Sequence, residues 1–342
     1  MGINIFTLHK LHKIQKLRKE GVKMRIRLGY VAIALKLPKV TSSSTVTYTN
    51  YGKQGNEENK LNKLKKVTLS NLDDLYKILQ YNVENNIHFY RITSALVPLA
   101  THPDVGNWDY RKIFNVDFKR IGDFIKKNDM RVDTHPDEFN VLNSIREEVV
   151  ENTKRNLWLH VNLFEDIKYP KGKMILHIGS SQEGKKTAIK RFIKNFREFP
   201  EEITRQLILE NDDKTFTTKE VLQICKDLNT PMVLDVHHHI CNNEGESLTP
   251  MLKDIFSTWD GQILPPKIHF SSPREGERDR KHSDFINPQD FIEFLETCKP
   301  LGINFDVMLE SKMKDLSLFK LVEDIKELRK DWKWIDNTTL EI

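Results

Sequence analysis

Imidazoles and carboxylates recur at the ends of short aliphatic runs along this 342-residue chain. His102 lies in ATHP, His135 in THPDEF, His177 in LHIG, Glu210 in LILEN, Asp235 at the head of DVHHH, His269 in KIHF and Glu310 in VMLES, with His282 in a loop shortly after His269. Any one of them alone is ordinarily a hydrogen-bonded loop residue or a helix cap. The collection points to a shared task. Carboxylates gathered into one buried site cost heavily unless cations neutralise them, which neutral imidazole cannot do. Mixed histidine and carboxylate donors suit Mn²⁺, Zn²⁺ or Fe²⁺ better than Mg²⁺ or Ca²⁺. The inventory suffices for two or three ions bridged by shared carboxylates, an arrangement that makes hydroxide at neutral pH and stabilises both oxygens of a phosphoester displacement. A metal-dependent sugar isomerase or epimerase on the same scaffold is the alternative. Such sites are richer in carboxylate, so the histidine-heavy set favours phosphodiester chemistry.

These residues need elements that bring them together. Eight β-rich runs, at 25–33, 87–93, 130–135, 174–179, 206–211, 231–239, 266–272 and 304–311, alternate with helical segments. Most are near-continuous apolar runs, as strands buried on both faces of a parallel sheet read. Ser70 precedes a helical pattern with Leu72, Leu75, Ile78 and Leu79; Thr217 and Glu220 form a capping box; Asn287 and Pro288 sit at a cap and first turn. The alternation predicts an α/β fold, a single-domain (β/α)8 TIM barrel over 24–342, with its metal site at the C-terminal face of the strands. Polar loops at 41–66 and 273–286 are expected on that face. Residues 1–23 read as a basic amphipathic extension, an appendage or the product of an upstream start codon.

Composition sets the class. Hydrophobic residues make up 38% and charged residues 30%, with a net charge of +5 that permits a polyanionic partner without demanding one. No apolar run reaches membrane-spanning length, and the three cysteines lack CxxC spacing, so a cytoplasmic, reducing setting without disulfides or membrane is expected. There is no GxGxxG after the first strand, no GxxxxGK[ST] and no GxSxG, so nucleotide-cofactor and serine-hydrolase chemistry lack support.

The ordered blocks RLGYV, YRITSALVPLATHP, THPDEF, LHIG, LILENDD, LDVHHH, PKIHFSS and DVMLESK resemble the ultraviolet damage endonucleases. The resemblance covers residues 25 to about 315 in the family order. It implies a DNA repair endonuclease that cuts on the 5′ side of cyclobutane pyrimidine dimers and (6-4) photoproducts, leaving a 3′-hydroxyl and a 5′-phosphate, with Mn²⁺ as its usual ion. It further implies that Glu210, Asp235, His269 and Glu310 surround one ion, that His135 and His177 share Glu210 on a second, and that His238 and His282 hold a third. Strand alternation by itself selects His237 and His239 as the partners of Asp235; the resemblance selects His238. Lys267 matches a lysine that can be carboxylated and contribute to the metal site, His102 a histidine that assists catalysis without being a ligand, and Tyr30 an active-site tyrosine.

Glu138 and Phe139 stand where some family members carry a Gln-Tyr pair that wedges into the duplex. Phe139 still offers an apolar wedge, whereas Glu138 cannot donate as an amide does. DNA phosphates are expected to meet Lys312 and Lys314 after the eighth strand and Arg274, Arg278, Arg280 and Lys281 in the seventh loop. The expected partner is damaged double-stranded DNA, met at the nucleoid by a monomer. A binding protein that kept the fold and lost cleavage is a third reading, opposed by retention of the whole ligand set.

Overall fold

The computed structural model describes residues 23–342; the expected extension over 1–23 lies outside them, Lys23 excepted. The chain forms β1 Arg25–Tyr30, α1 Tyr48–Gly52, α2 Glu57–Glu84, β2 Phe89–Ile92, α3 Tyr110–Ile113, α4 Asn115–Lys127, β3 Arg131–Thr134, α5 Glu147–Asp166, β4 Lys173–His177, α6 Lys185–Glu198, α7 Glu201–Thr204 and β5 Leu207–Glu210. It continues through α8 Thr218–Leu228, β6 Met232–Asp235, α9 Val236–Cys241, α10 Thr249–Ser257, β7 Lys267–Phe270, α11 Pro288–Cys298, β8 Phe305–Leu309, α12 Lys314–Leu328, β9 Lys333–Trp334 and β10 Thr339–Glu341. One sheet runs in the order β2-β3-β4-β5-β6-β7-β8-β1-β10-β9. The pairs from β2 through β8 to β1 are parallel, each strand supplying one inner and one outer face.

The sheet is strongly curled. Arg91 on β2 and His269 on β7 lie five strands apart in sheet order, which in a flat sheet is about 24 Å. Their side chains meet at 2.7 Å. A parallel bridge joins Val31 to Arg91 beyond the end of β1, and β10 pairs antiparallel with the start of β1. The turn before β10 reaches across to β2: Leu28 N–H donates to the Thr338 carbonyl at 2.9 Å, and the Thr338 hydroxyl to the Asn86 carbonyl at 2.6 Å. This C-terminal hairpin, for which the sequence pattern gives no expectation, fills the seam between β1 and β2.

Residue parity sorts the strands into two cores. Outward-facing Ile26, Leu28 and Tyr30, Tyr90, Val132, Leu209, Leu234 and Val307 pack against the helices in the main apolar core. Inside the curl, Ile175, Ile208 and Val233 join Trp259 and Leu264 in a separate small cluster. The other inward positions are largely charged. Buried Asp306 accepts from Arg27 Nε at 2.6 Å and from Arg131 Nη1 at 2.8 Å, and fully buried Lys267 pairs with Asp133. Gly29 is required beside them, because a Cβ there would lie 2.6 Å from the Phe89 ring.

Two boundaries differ from expectation. The helix expected after Ser70 starts at Glu57, capped by Asn56, because Leu61, Leu64 and Thr68 already share the inward stripe of Leu72 and Leu75; lysine-rich composition disguised it as loop. The sixth strand stops at Asp235 instead of 239, since that residue caps α9 by accepting the His238 N–H at 2.8 Å. The capping box at Thr217 and Glu220 and the Asn287 cap are present.

Removing Asp306 takes the close carboxylate partner from Arg27 and from buried Arg131, leaving Arg131 the Pro265 carbonyl and Asp133 at 3.9 Å; breaking a buried pair ordinarily costs about 3–5 kcal/mol. Asp306→Ala is therefore expected to lower the unfolding free energy of the chelated protein, read from urea titration, by that order, with Asp306→Asn, which keeps the hydrogen-bond acceptor, losing less.

Candidate metal centre

The inward positions at the C-terminal ends of the strands converge. Glu210, 1% exposed, ends β5 and receives His269 Nδ1 at 2.6 Å on one oxygen and His135 Nε2 at 3.0 Å on the other, with His177 Nε2 3.5 Å away. Three overlapping donor sets result: His135, His177 and Glu210; Glu210, Asp235 and His238; Asp235, His269 and Glu310, each with its donor atoms within 4.8 Å of one another. Glu210 and Asp235 each belong to two sets and are placed to bridge.

The donor chemistry fits divalent cations. His135 Nδ1 donates to the Pro136 carbonyl and His238 Nδ1 to that of Asn211, both at 2.9 Å. Ligating histidines are typically fixed this way, with the second nitrogen left to hold the metal. The His135 Nε2 lone pair then faces a carboxylate oxygen at 3.0 Å, a repulsive arrangement unless a cation or proton stands between. Asp235 uses Oδ1 for its cap, while Oδ2 is buried without a hydrogen-bond partner, as is Nδ1 of His177. Unpaired polar atoms of this kind are costly when nothing binds them.

Electrostatics express the same excess of negative charge. Burial opposes ionisation of Glu210, yet His269 and His177 with the bonds from His135 and His269 hold its pKa well below the usual carboxylate range. Burial likewise disfavours charge on His238, but Asp235 and Glu210 outweigh it and push its pKa up to about 9. Glu310, also desolvated, is held down by Arg91 and His269. Arg91 is not among the residues singled out by motif. It is buried, and its Nη2 lies 2.7 Å from both His269 Nε2 and Glu310 Oε1, so it orients a ligand from one donor set at two points. Its signal in the sequence is a lone cation inside an apolar strand. Asn211 carries no such signal; it exchanges two 2.9 Å bonds with the Asp235 backbone and locks the ends of β5 and β6 together.

Several expected residues sit elsewhere. His237 and His239 turn away because the chain is helical there: His239 Nδ1 meets the Thr218 hydroxyl and His237 lies against Cys241. His282 joins no three-donor set among the described residues, but its Nδ1 is tied to the Glu310 carbonyl as those of His135 and His238 are tied to theirs, and its ring lies 6.4 Å from that of His238 over the same cavity. Tyr30 is a correction. It faces the helices, fully buried, with its hydroxyl donating to Asn82 at 2.8 Å, because β1 turns Arg27 and Gly29 inward. Lys267 lies one inward position before His269 and is occupied by Asp133; burial lowers its pKa to about 8.

The rim holds the remainder. His102 stacks on Tyr48 with centroids 4.1 Å apart and lines a groove of about 740 Å³ together with Glu138, Phe139, Arg146 and Arg155. Phe139 is 76% exposed. A second cavity of about 510 Å³ opens above His177, His238 and His282. In the seventh loop, Arg280 pairs with Asp213 at 3.0 Å and Arg274 lies 3.8 Å from Glu275, both at the exposed surface, where Lys312 also projects.

A family model described as UV-endonuclease UvdE matches residues 26–338. The chain belongs to that family. A UV DNA damage endonuclease of Bacillus mycoides (strain KBAB4) is 39% identical over 319 residues, 93% of this chain and 100% of that protein. One from Halalkalibacterium halodurans is 37% identical over 306 residues, covering 89% and 95%. The crystal structure of SacUVDE matches with a TM-score of 0.79 at 36% identity, covering 89% of this chain and 99% of that one. Endonuclease IV from Thermus thermophilus matches at a TM-score of 0.50 and 12% identity, covering 88% and 99%, a likeness of fold alone. Among the described residues no helix is long and apolar enough to cross a membrane.

The folded pKa of His238 exceeds its unfolded value, so its contribution to stability is whole below about pH 6.5 and is lost as pH rises toward 9. In chelator, the urea midpoint of the wild type is expected to fall across that window relative to His238→Gln. Parallel profiles for the two proteins would mean that His238 carries no such proton.

Proposed function

We propose that this chain, a UV-damage repair endonuclease by family, hydrolyses the phosphodiester bond on the 5′ side of pyrimidine dimers and (6-4) photoproducts, leaving a 3′-hydroxyl and a 5′-phosphate. The observation that carries the reading is the trio of donor sets sharing Glu210 and Asp235. On this reading the eight parallel strands form a closed (β/α)8 barrel, supported by the Val31–Arg91 bridge and the cross-sheet Arg91–His269 contact. His135, His177 and Glu210 would hold one ion, Asp235 and His238 with Glu210 another, and His269 and Glu310 with Asp235 a third; Mn²⁺ suits the mixed set, with Zn²⁺ or Mg²⁺ as alternatives. Divalent ions bound there supply hydroxide at neutral pH and stabilise the attacking and leaving oxygens.

The chain's own side chains do the positioning. Arg91 keeps His269 and Glu310 in place while offsetting their negative surroundings. Asn211 holds Asp235 with Oδ2 free. Phe139 is exposed at the rim of the larger groove, where it can wedge between bases beside Glu138, and His102 lines that groove, from which it would assist catalysis without holding a metal. Arg274 and Lys312 face solvent near the mouth and take phosphates. Lys267 would enter the chemistry only as its neutral amine, the form carboxylation requires, which a pKa of about 8 keeps within reach. The chain is read as acting at the nucleoid as a monomer. The sugar epimerase alternative rests on fold likeness at 12% identity, as with 3-keto-D-glucoside 4-epimerase YcjR from E. coli at a TM-score of 0.52.

Mn²⁺-loaded protein is expected to convert ultraviolet-irradiated supercoiled plasmid to open circles and leave unirradiated plasmid intact, with chelator abolishing the reaction. Glu210→Gln removes a charge shared by two ions and is expected to lower the nicking rate by about 10³-fold, equivalent to roughly 4 kcal/mol of transition-state stabilisation. Unaltered nicking by this variant would remove Glu210 from the metal centre.

A further inference from the structure

The polar stretch between β1 and β2 is absorbed by none of the roles above. Residues 53–66 contain five lysines, Lys53, Lys60, Lys63, Lys65 and Lys66, against two glutamates, a net +3 in a chain whose total is +5. Residues 1–23 carry a net +5, so the rest of the chain is neutral overall, and within it these fourteen residues form a local excess of +3. They form the approach to α2 and its first turns. Only Leu64 of this segment is fully buried, so the start of α2 stands out from the body of the protein.

Its position is set by an aromatic ladder. Lys60 Nζ lies 5.5 Å from the Tyr51 ring, Tyr51 stacks on Tyr48 at 6.1 Å, and Tyr48 stacks on His102 at 4.1 Å. His102 lines the 740 Å³ groove that also holds Glu138 and Phe139. The lysines are thus held at the mouth. Lys60 is engaged by Glu57, but Lys53, Lys63, Lys65 and Lys66 make no ion pair among the described residues. Lys60, Lys63 and Lys66 recur every third position, which on a helix is about 4.5 Å of rise per step. That spacing presents a ridge of cations rather than a point charge, the pattern suited to a phosphate backbone.

We infer that residues 48–66 form a DNA-gripping arm, in which Lys63 and Lys66, with Lys53, take phosphates of the duplex flanking the lesion. The inference rests on the endonuclease reading for its substrate and goes beyond it in assigning a contact outside the damaged site. If the arm grips duplex beyond the damaged site, a short duplex ends before reaching it and a long one does not.

The test is steady-state nicking by the Mn²⁺-loaded protein of duplexes of about 12 and about 30 bp carrying one central thymine dimer, between roughly 50 and 200 mM NaCl. Lys63→Glu/Lys66→Glu is expected to raise KM on the long duplex about 10-fold and to reduce the salt slope of kcat/KM by about 2, as loss of two phosphate contacts requires. kcat and the KM of the short duplex stay within about twofold of wild type. Equal KM and equal salt slope on the long duplex would overturn the arm. If the wild type fails to nick either duplex, the endonuclease reading fails separately, and the arm is judged by fluorescence anisotropy on the same duplexes: a length-dependent loss of affinity in the variant sustains it, and equal affinities end it.

Discussion

A carboxylate taken out of water must find positive charge, and Glu210 is the point at which this chain meets that requirement. It is 1% exposed and faced by His135, His177, His238 and His269, which come from or just beyond β3, β4, β6 and β7. A flat sheet could not bring imidazoles from all four of these strands to one carboxylate, so the site exists only because the sheet curls. The remaining features support this centre. Arg91 compensates Glu310, Asn211 clamps β5 to β6, and the C-terminal hairpin fills the seam where β1 meets β2.

Beneath the metal centre lies a second tier of charge. Lys267 with Asp133, and Asp306 with Arg27 and Arg131, fill the inner face of the curled sheet with charge in place of aliphatic side chains. Such pairs are poor sources of stability compared with apolar packing of equal volume. Their geometry nevertheless fixes which strands face one another across the interior, and the main apolar core between sheet and helices supplies the hydrophobic stabilisation. Division of labour follows from strand parity: outward residues hold the fold, inward residues hold charge. Tyr30 illustrates the rule, since its place one residue beyond inward Gly29 commits it to the helix-facing core.

Much of this was legible beforehand. Eight aliphatic runs, most of them ending in His, Glu or Asp, announced parallel strands converging on one face, and the Thr217–Glu220 capping box and Asn287–Pro288 pair marked helix starts by local hydrogen bonding alone. Some buried charges were also visible, as Asp133, Lys267 and Asp306 interrupt apolar strands at the parity of His135, His269 and Glu310. β1 and β2 end in no such residue, so the inward turn of Arg91 and the outward turn of Tyr30 are decided by the fold. The start of α2 was obscured because its first turns are solvated and lysine-rich, so that the apolar stripe is sparse until Leu64.

Residue type and short-range periodicity were enough to establish the donor inventory, the alternation of strand and helix, and the family order of the motifs. They were not enough to say which donors share an ion. His238 is selected over His237 and His239 because the strand ends at Asp235 and the next residues coil, converting an alternating pattern into a helical one with Asp235 as its cap. The grouping of Asp235 with both His238 and His269, and the approach of His282 to His238 over one cavity, arise from the curl of the sheet and from the carbonyls that orient each ring. Those are distances between residues far apart in the chain, and no local pattern encodes them.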